Sequence, residues 1–254
     1  MALTSIYRGG LGNQLFQIAA GYALAKDNNS SYFINKSFHR EVCQGNRIDH
    51  YVDNIFKKFP LDDPLYDIYV SRPNYKEPHF NYSPIPFQPN VILDGYFQSE
   101  KYFKNYKAQL NDLFGFVDHI GFEQTTCVIQ IRTGDFLTLS DFNVVTPAYF
   151  KEAIDTVKSN FGNVTFVVVT DSWSSAERYL PTDNVYQVSQ GTELDDLKLM
   201  SKADYCIISN SSFGWWGSYL GKDKLTITPD KWLNSLPKEE YEDIYREEMI
   251  RIRI

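Results

Sequence analysis

The chain has 254 residues, 43% of them hydrophobic, enough to bury a sizeable core as one large domain or two small ones, of which two is the preferred reading. A net charge of −7 argues against nucleic acid or an anionic membrane surface as partner, so any anion must be held by a local cluster of donors. Three scattered cysteines (Cys43, Cys127, Cys206) read as buried free thiols in a reducing compartment. Four histidines without ligand spacing (His39, His50, His79, His119), and the lack of any Asp-x-Asp, give no sign of a metal site.

In chain order, Leu3 to Tyr7 predicts a strand and Leu15 to Lys26 a helix, with Ala19, Ala20, Gly21 and Ala23 placed for close packing on a sheet. Tyr32-Phe33-Ile34 follows as a second strand, the start of an α/β layer. From Phe38 to Asn90, Pro73, Pro78, Pro84, Pro86 and Pro89 exclude long helices and predict short helices and long loops, read as the acceptor-facing part. Val91 to Asp94 predicts a strand, and Glu100 to Leu113 a helix with Tyr102, Phe103, Tyr106, Leu110 and Leu113 on one face. A domain boundary is expected near Phe116 to Gln124. Beyond it strands Thr126–Ile131, Val164–Thr170, Val185–Val188, Tyr205–Ser209 and Leu225–Thr228 alternate with helices Pro147–Asn160, Ser174–Tyr179, Glu193–Ser201 and Phe213–Leu220. Thr146 before Pro147, and Thr192 three residues ahead of Asp195, mark helix starts. Such alternation predicts a doubly wound parallel sheet with ligands at the carboxyl ends of its strands. At the C-terminus, Ile250 to Ile254 alternates like an edge strand, with a frayed tail the competing reading. Met1 to Tyr7 is one strand's length before the glycines begin, and no apolar run reaches the roughly 18 residues of a span, so the expectation is a soluble, cytoplasmic protein.

Two loop-to-helix junctions carry the chemistry. Gly9-Gly10-Leu11-Gly12-Asn13-Gln14 and Ser209-Asn210-Ser211-Ser212-Phe213-Gly214 each follow an apolar strand and open a helix, leaving backbone N–H groups for a phosphate. Their pairing suggests two halves closing on one phosphorylated ligand, the architecture of a nucleotide-sugar transferase. Read from Gly10 the first lacks the third small residue of a dinucleotide fingerprint, which disfavours NAD; close strand–helix packing is its competing explanation. Gly10, Gly12 and the Asn13 amide are assigned to phosphate. Arg132, leaving a strand into Thr133-Gly134-Asp135, has a guanidinium fork suited to phosphate oxygens with a carboxylate to orient it; a structural Arg–Asp ion pair is the alternative. Asp171, at another strand's carboxyl end, joins the donor-binding set. Asp195 and Asp196 open a helix: one is expected to complement the helix dipole, the other to accept from the edge of guanine. Trp215, Trp216 and Tyr219 read as core rather than a sugar platform.

These segments resemble the α-1,2-fucosyltransferases of glycosyltransferase family eleven. The motifs that carry the resemblance are Gly9 to Gln17, Asp94-Gly95-Tyr96-Phe97-Gln98-Ser99 with Lys101-Tyr102-Phe103, the Gln130 to Asp135 loop, and Leu199-Met200-Ser201 through Ser209 to Gly217. The resemblance implies a GT-B-like fold of two Rossmann-like domains facing a cleft, 1–120 on the acceptor side and 121–254 binding the donor. It further implies a GDP-β-L-fucose donor, an oligosaccharide acceptor, and catalysis without metal or other cofactor. Arg132 would hold the β-phosphate with Asn13 donating opposite, Ser211, Ser212 and the Phe213 N–H would hold the pyrophosphate, and Asp196 would read guanine. Where the family writes His-x-Arg-Arg-Gly-Asp-Tyr, this chain has Gln130-Ile131-Arg132-Thr133-Gly134-Asp135-Phe136. Gln130 can still hydrogen-bond the nucleotide but cannot carry a proton. Asp135 and Asp141 are candidates for the base that deprotonates the acceptor. The expected reaction is inverting transfer of L-fucose to O2 of a terminal galactose; another GDP-sugar, or a silent glycan- or nucleotide-binding protein, are the alternatives. The acceptor and the oligomeric state are not legible.

Overall fold

The structure, a computed structural model, describes residues 2–40, 45–61, 73–116 and 121–254. Cys43, His119, parts of the irregular stretch (41–44 and 62–72) and part of the expected boundary (117–120) lie outside them. The chain divides into two compact units, Met1–Gly115 with Glu242–Tyr245, and Phe116–Tyr241 with Arg246–Ile254.

In the first unit, β1 (Ala2–Ser5) leads through the glycine turn into α1 (Leu11–Asp27); β2 (Ser31–Tyr32), β3 (Asn74–Lys76), β4 (Ile92–Asp94) and α2 (Lys107–Phe114) follow. The four strands form a parallel sheet in the order β2-β1-β4-β3. Strand β2 stops at Tyr32, because Ile34 leaves the sheet to bridge Leu61. Strand β3 lies in the stretch read as loop; at this edge Asn74 and Lys76 are exposed and Tyr75 is half-buried, so no apolar alternation announces it. The helix expected over Glu100 to Leu113 is instead two 3₁₀ turns, Glu100–Tyr102 and Lys104–Tyr106, before α2 begins. The Ser99 hydroxyl accepts from Lys101 N–H and Phe103 takes an extended φ of −144°, which ends the first turn and buries that ring against Phe16. Glu242–Tyr245 joins this unit: Lys101 pairs with Asp243 at 2.5 Å, and Asp243 accepts from Tyr82 N–H at 3.0 Å.

The second unit holds β5 (Thr126–Ile131), α3 (Pro147–Phe161), β6 (Thr165–Thr170), α4 (Trp173–Ala176), β7 (Tyr186–Val188), α5 (Glu193–Lys202), β8 (Tyr205–Ile208), α6 (Ser212–Tyr219), β9 (Leu225–Pro229) and β10 (Met249–Ile252). All six strands are parallel in the order β10-β9-β8-β5-β6-β7. From β5 the chain winds outward to β6 and β7, then returns to β8 on the other side. That is the doubly wound nucleotide-binding order, with its switch point between the carboxyl ends of β5 and β8. The C-terminal alternation is therefore an edge strand. Helix α4 is shorter than expected and passes into a 3₁₀ turn, since Pro181 bars Leu180 from helical φ/ψ. Both predicted helix starts hold: Thr146 accepts from Tyr149 N–H ahead of Pro147, and Thr192 with Asp195 forms a capping box.

The core under β5, β6 and α3 joins Ile129, Ile131, Phe150, Ile154, Val157, Val168 and Ile207. Trp215, Trp216 and Tyr219 are fully buried, and the Arg246 guanidinium lies 4.9 Å from the Trp215 ring centroid, so they are core as read. Gly214 lets α6 sit against β5, because a Cβ there would lie 2.5 Å from Gln130 Oε1.

Candidate functional site

In the second unit the switch point is built by β5 and β8. Arg132 follows β5, and its N–H donates to the Ser209 hydroxyl at 3.0 Å, tying it to the turn that opens α6. Gln130 is 3% exposed, and its Oε1 accepts from Ser209 N–H at 3.2 Å; it braces the same turn. The Arg132 guanidinium meets Asp135 at 2.5 Å and Asp171, at the end of β6, at 2.9 Å. Asp171 also accepts from the N–H and hydroxyl of Thr133, at 3.0 and 2.5 Å. The ion pair expected as the alternative is therefore present, and its two carboxylates fix the orientation of the fork. Each carboxylate engages one terminal nitrogen, leaving further N–H donors of a side chain 31% exposed for a ligand.

Helix α6 opens at Ser211 with no side-chain cap, so the N–H groups of its first turn stay available to an anion. Asn210 anchors the turn by donating to Phe142 O at 3.1 Å and Trp232 O at 2.9 Å, and Tyr149 donates to Ile208 O at 2.6 Å. At α5 the two acids separate. Asp195 is the capping residue, its carboxyl held below the usual range by the Thr192 hydroxyl and N–H. Asp196 is half-buried and turned to the Ser189 hydroxyl after β7, and burial pushes its carboxyl up.

In the first unit α1 is likewise uncapped by any side chain. Gly9 holds φ +75°, and a Cβ there would lie 2.3 Å from Asn13 Nδ2, so only glycine lets the Asn13 amide fold over the turn. Gln98 Nε2 donates to Asn13 Oδ1 at 2.7 Å, which leaves the Asn13 NH₂ as the outward donor. Gly10 is the N-cap and Gly12 is buried in the first helical turn.

The family model for Glycosyl transferase family 11 matches residues 2–253. The chain belongs to that family. It is a sugar-transferring enzyme, as its motifs imply. Among its relatives, an α-1,2-colitosyltransferase of Escherichia coli is 29% identical, the match covering 88% of this chain and 90% of that protein. The O-antigen biosynthesis glycosyltransferase WbnK of Escherichia coli is 26% identical over 90% and 94%. A putative galactoside 2-α-L-fucosyltransferase of Caenorhabditis elegans is 26% identical over 84% and 66%. Two solved fucosyltransferases share the fold. NodZ from Bradyrhizobium has a TM-score of 0.50 at 14% identity, over 87% of this chain and 92% of that one. Arabidopsis thaliana FUT1, a point variant in complex with GDP, has a TM-score of 0.50 at 13% identity, over 94% and 73%. The fold is the GT-B type.

Within this family 11 enzyme the structure thus gathers Gln130, Arg132, Asp135, Asp171 and the Ser209 to Phe213 turn at one switch point. Asp196 lies instead beyond β7 at the start of α5. Asp141 accepts from Ser235 N–H at 2.6 Å through one carboxylate oxygen, which ties its loop to the segment after β9. Thr133, Ser209, Asn210, Gln98 and Tyr149 received no role from the sequence. Thr133, Gln98, Ser209 and Asn210 lay inside the motifs that carry the resemblance, whereas nothing in the local pattern marks Tyr149 as a tie between β8 and β9. Among the described residues no group of three His, Cys, Asp or Glu side chains could hold a metal ion, and no helix is long and apolar enough to cross a membrane.

Proposed function

We propose that this enzyme transfers L-fucose from GDP-β-L-fucose to O2 of a terminal galactose with inversion at C1. The observation that carries the reading is Arg132, pointed by two carboxylates at the switch point and bonded through its N–H to the turn that opens uncapped α6. In the transfer the acceptor oxygen bonds to C1 while the bond from C1 to the β-phosphate oxygen breaks and its electron pair leaves with GDP. Arg132 and the N–H groups of Ser212, Phe213 and Gly214 meet that charge, a role worth about 3–4 kcal/mol per well-placed donor. Ser211 and Ser212 hydroxyls hold the diphosphate with them. Asp196, ionised against the two donors on the guanine edge, selects the base.

The test is GDP release from a panel of GDP-sugars with and without lactose. Acceptor-dependent release from GDP-fucose is expected; release from none of them, with any β-galactoside, overturns the reading.

A second reading keeps fold and nucleotide but replaces fucose with colitose, fucose without its 3-hydroxyl. The colitosyltransferase relative favours it, as do Gln130 and Thr133 in place of the family's histidine and second arginine. A site that hydrogen-bonds the 3-hydroxyl discriminates by about 10⁴-fold against the sugar that lacks it, so faster turnover of GDP-colitose decides for this second reading.

A further inference from the structure

Of the four tryptophans in the chain, Trp215 and Trp216 are fully buried, Trp232 is 3% exposed and Trp173 is 39% exposed. Tryptophans are highly buried on average because an indole carries so much apolar surface, and Trp173 departs from that habit. Among the described residues its ring has no aromatic partner and its N–H no acceptor. Its place in the fold is specific. Trp173 opens α4, three residues past the end of β6, in the turn whose Asp171 holds Arg132 and Thr133. Ser172 N–H donates to the Thr170 hydroxyl at 3.3 Å, so this turn is pinned on both sides of Asp171.

The strand order β8-β5-β6-β7 sets the path of a nucleotide across this unit. Its diphosphate belongs between β8 and β5, at Arg132 and the start of α6, whereas Asp196 stands past β7 at the start of α5. Neighbouring strands lie about 4.8 Å apart, so ribose and base have about 10 Å to cross from β5 to β7, over the carboxyl end of β6. Trp173 follows that end. Right-handed crossovers put α3 and α4 on one face of the sheet and α5 and α6 on the other. The packing agrees: α5 lies on α6, and the turn after α4 lies on α3. Trp173 and Asp196 therefore border one crevice from opposite faces of the sheet. A carboxylate bonds a base along its edge, whereas an aromatic ring meets it flat. Phe136, the aromatic residue that follows β5, is already committed, 5.3 Å from the Arg132 guanidinium and 5.0 Å from the Phe142 ring.

We propose that Trp173 is the stacking platform for the base of the bound nucleotide and sets donor affinity, while Asp196 supplies the choice of guanine. The assignment rests on the donor reading above. Every nucleobase has a π-face, so the indole adds affinity without regard to which base is bound. The carboxylate instead answers to the 2-amino group, and the two contributions separate in solution. A platform's contribution also follows the ring: it is lost with alanine and kept by another aromatic side chain.

The experiment uses the whole chain, in wild type and in Trp173→Ala, Trp173→Phe and Asp196→Asn variants. Affinities for GDP and for IDP, which lacks the 2-amino group, are measured by calorimetry, tryptophan emission is followed during the titrations, and folding is checked by circular dichroism. Trp173→Ala is expected to raise the Kd of both nucleotides about tenfold or more and to leave their ratio unchanged. Trp173→Phe is expected to keep GDP affinity within about threefold, and serves if the alanine variant misfolds. Because Trp215, Trp216 and Trp232 are buried, GDP is expected to quench the emission of wild type and to leave that of Trp173→Phe nearly unchanged. Asp196→Asn is expected to lose the preference for GDP over IDP while the quench persists. A folded Trp173→Ala variant with a GDP Kd within about twofold of wild type overturns the platform while the donor reading stands. So does a Trp173→Phe variant that keeps the wild-type quench or binds GDP as weakly as the alanine variant. A preference for GDP retained in Asp196→Asn overturns the role of Asp196 and leaves the platform in place. If wild type binds another nucleoside diphosphate in preference to GDP, the donor reading fails, and the same comparison of Trp173 variants with that nucleotide decides the platform. A wild type that binds no nucleotide overturns both.

Discussion

Replacing Arg132 by alanine removes the cation that holds Asp135 and Asp171 at the switch point. All three side chains are between a quarter and a third exposed, so solvent screens the repulsion left behind and the fold loses only about 1 kcal/mol. Asp135 Oδ2 is already buried without a hydrogen-bond partner, which keeps that figure from falling to zero. Turnover responds more strongly. Loss of one positioned donor to a developing anion costs about 3–4 kcal/mol, or 10²–10³ in kcat. Arg132→Lys keeps the charge but not the fork: an ammonium reaches Asp135 or Asp171, not both, and recovers less than about tenfold of the loss. The assay is single-turnover GDP formation from GDP-fucose with saturating acceptor, alongside thermal melts. An alanine variant that melts within a few degrees of wild type and keeps kcat within fivefold would refute the role given to Arg132.

Three further outcomes follow from the geometry. Gly9→Ala forces a Cβ into the Asn13 amide at φ +75°, so it should cost about 1–2 kcal/mol in thermal melts; an unchanged Tm counts against the amide folding over the turn. Tyr149→Phe leaves Ile208 O and Ile227 O without their buried donor, and should cost about 1–2 kcal/mol, lowering Tm by roughly 2–4 °C and raising the GDP Kd; an unchanged Tm counts against the tie. Burial opposes ionisation of Asp204, but the Lys222 ammonium and Thr126 N–H outweigh it and hold the carboxyl below its usual range. A depressed acid stabilises the fold above its unfolded pKa and loses that as pH falls through the folded value. Asp204→Asn should therefore cost about 1 kcal/mol above roughly pH 4, with the difference fading below it; denaturant titrations from pH 3 to 7 check the window.

Local chemistry was legible because its causes lie within a few residues. Apolar runs, Pro147 after Thr146, the Thr192 to Asp195 box and two small-residue turns each set backbone geometry without distant help, and so the second unit could be drawn almost strand for strand. The motifs that span the chain named the family by their order. Where neighbours in space decide, the sequence was silent. Strand β3 exists because β4 offers it an edge, and the expected helix after Ser99 broke because Phe103 had to reach Phe16. Asp195 and Asp196 are equivalent on paper, yet one faces its own helix terminus and the other the Ser189 hydroxyl across a turn. Arg132 was visible as an arginine in a glycine loop, but its orientation comes from Asp171, which stands beside it only because β6 pairs with β5. Backbone propensity is written locally, whereas the charge and solvation of a site are sums over neighbours that only the fold assembles.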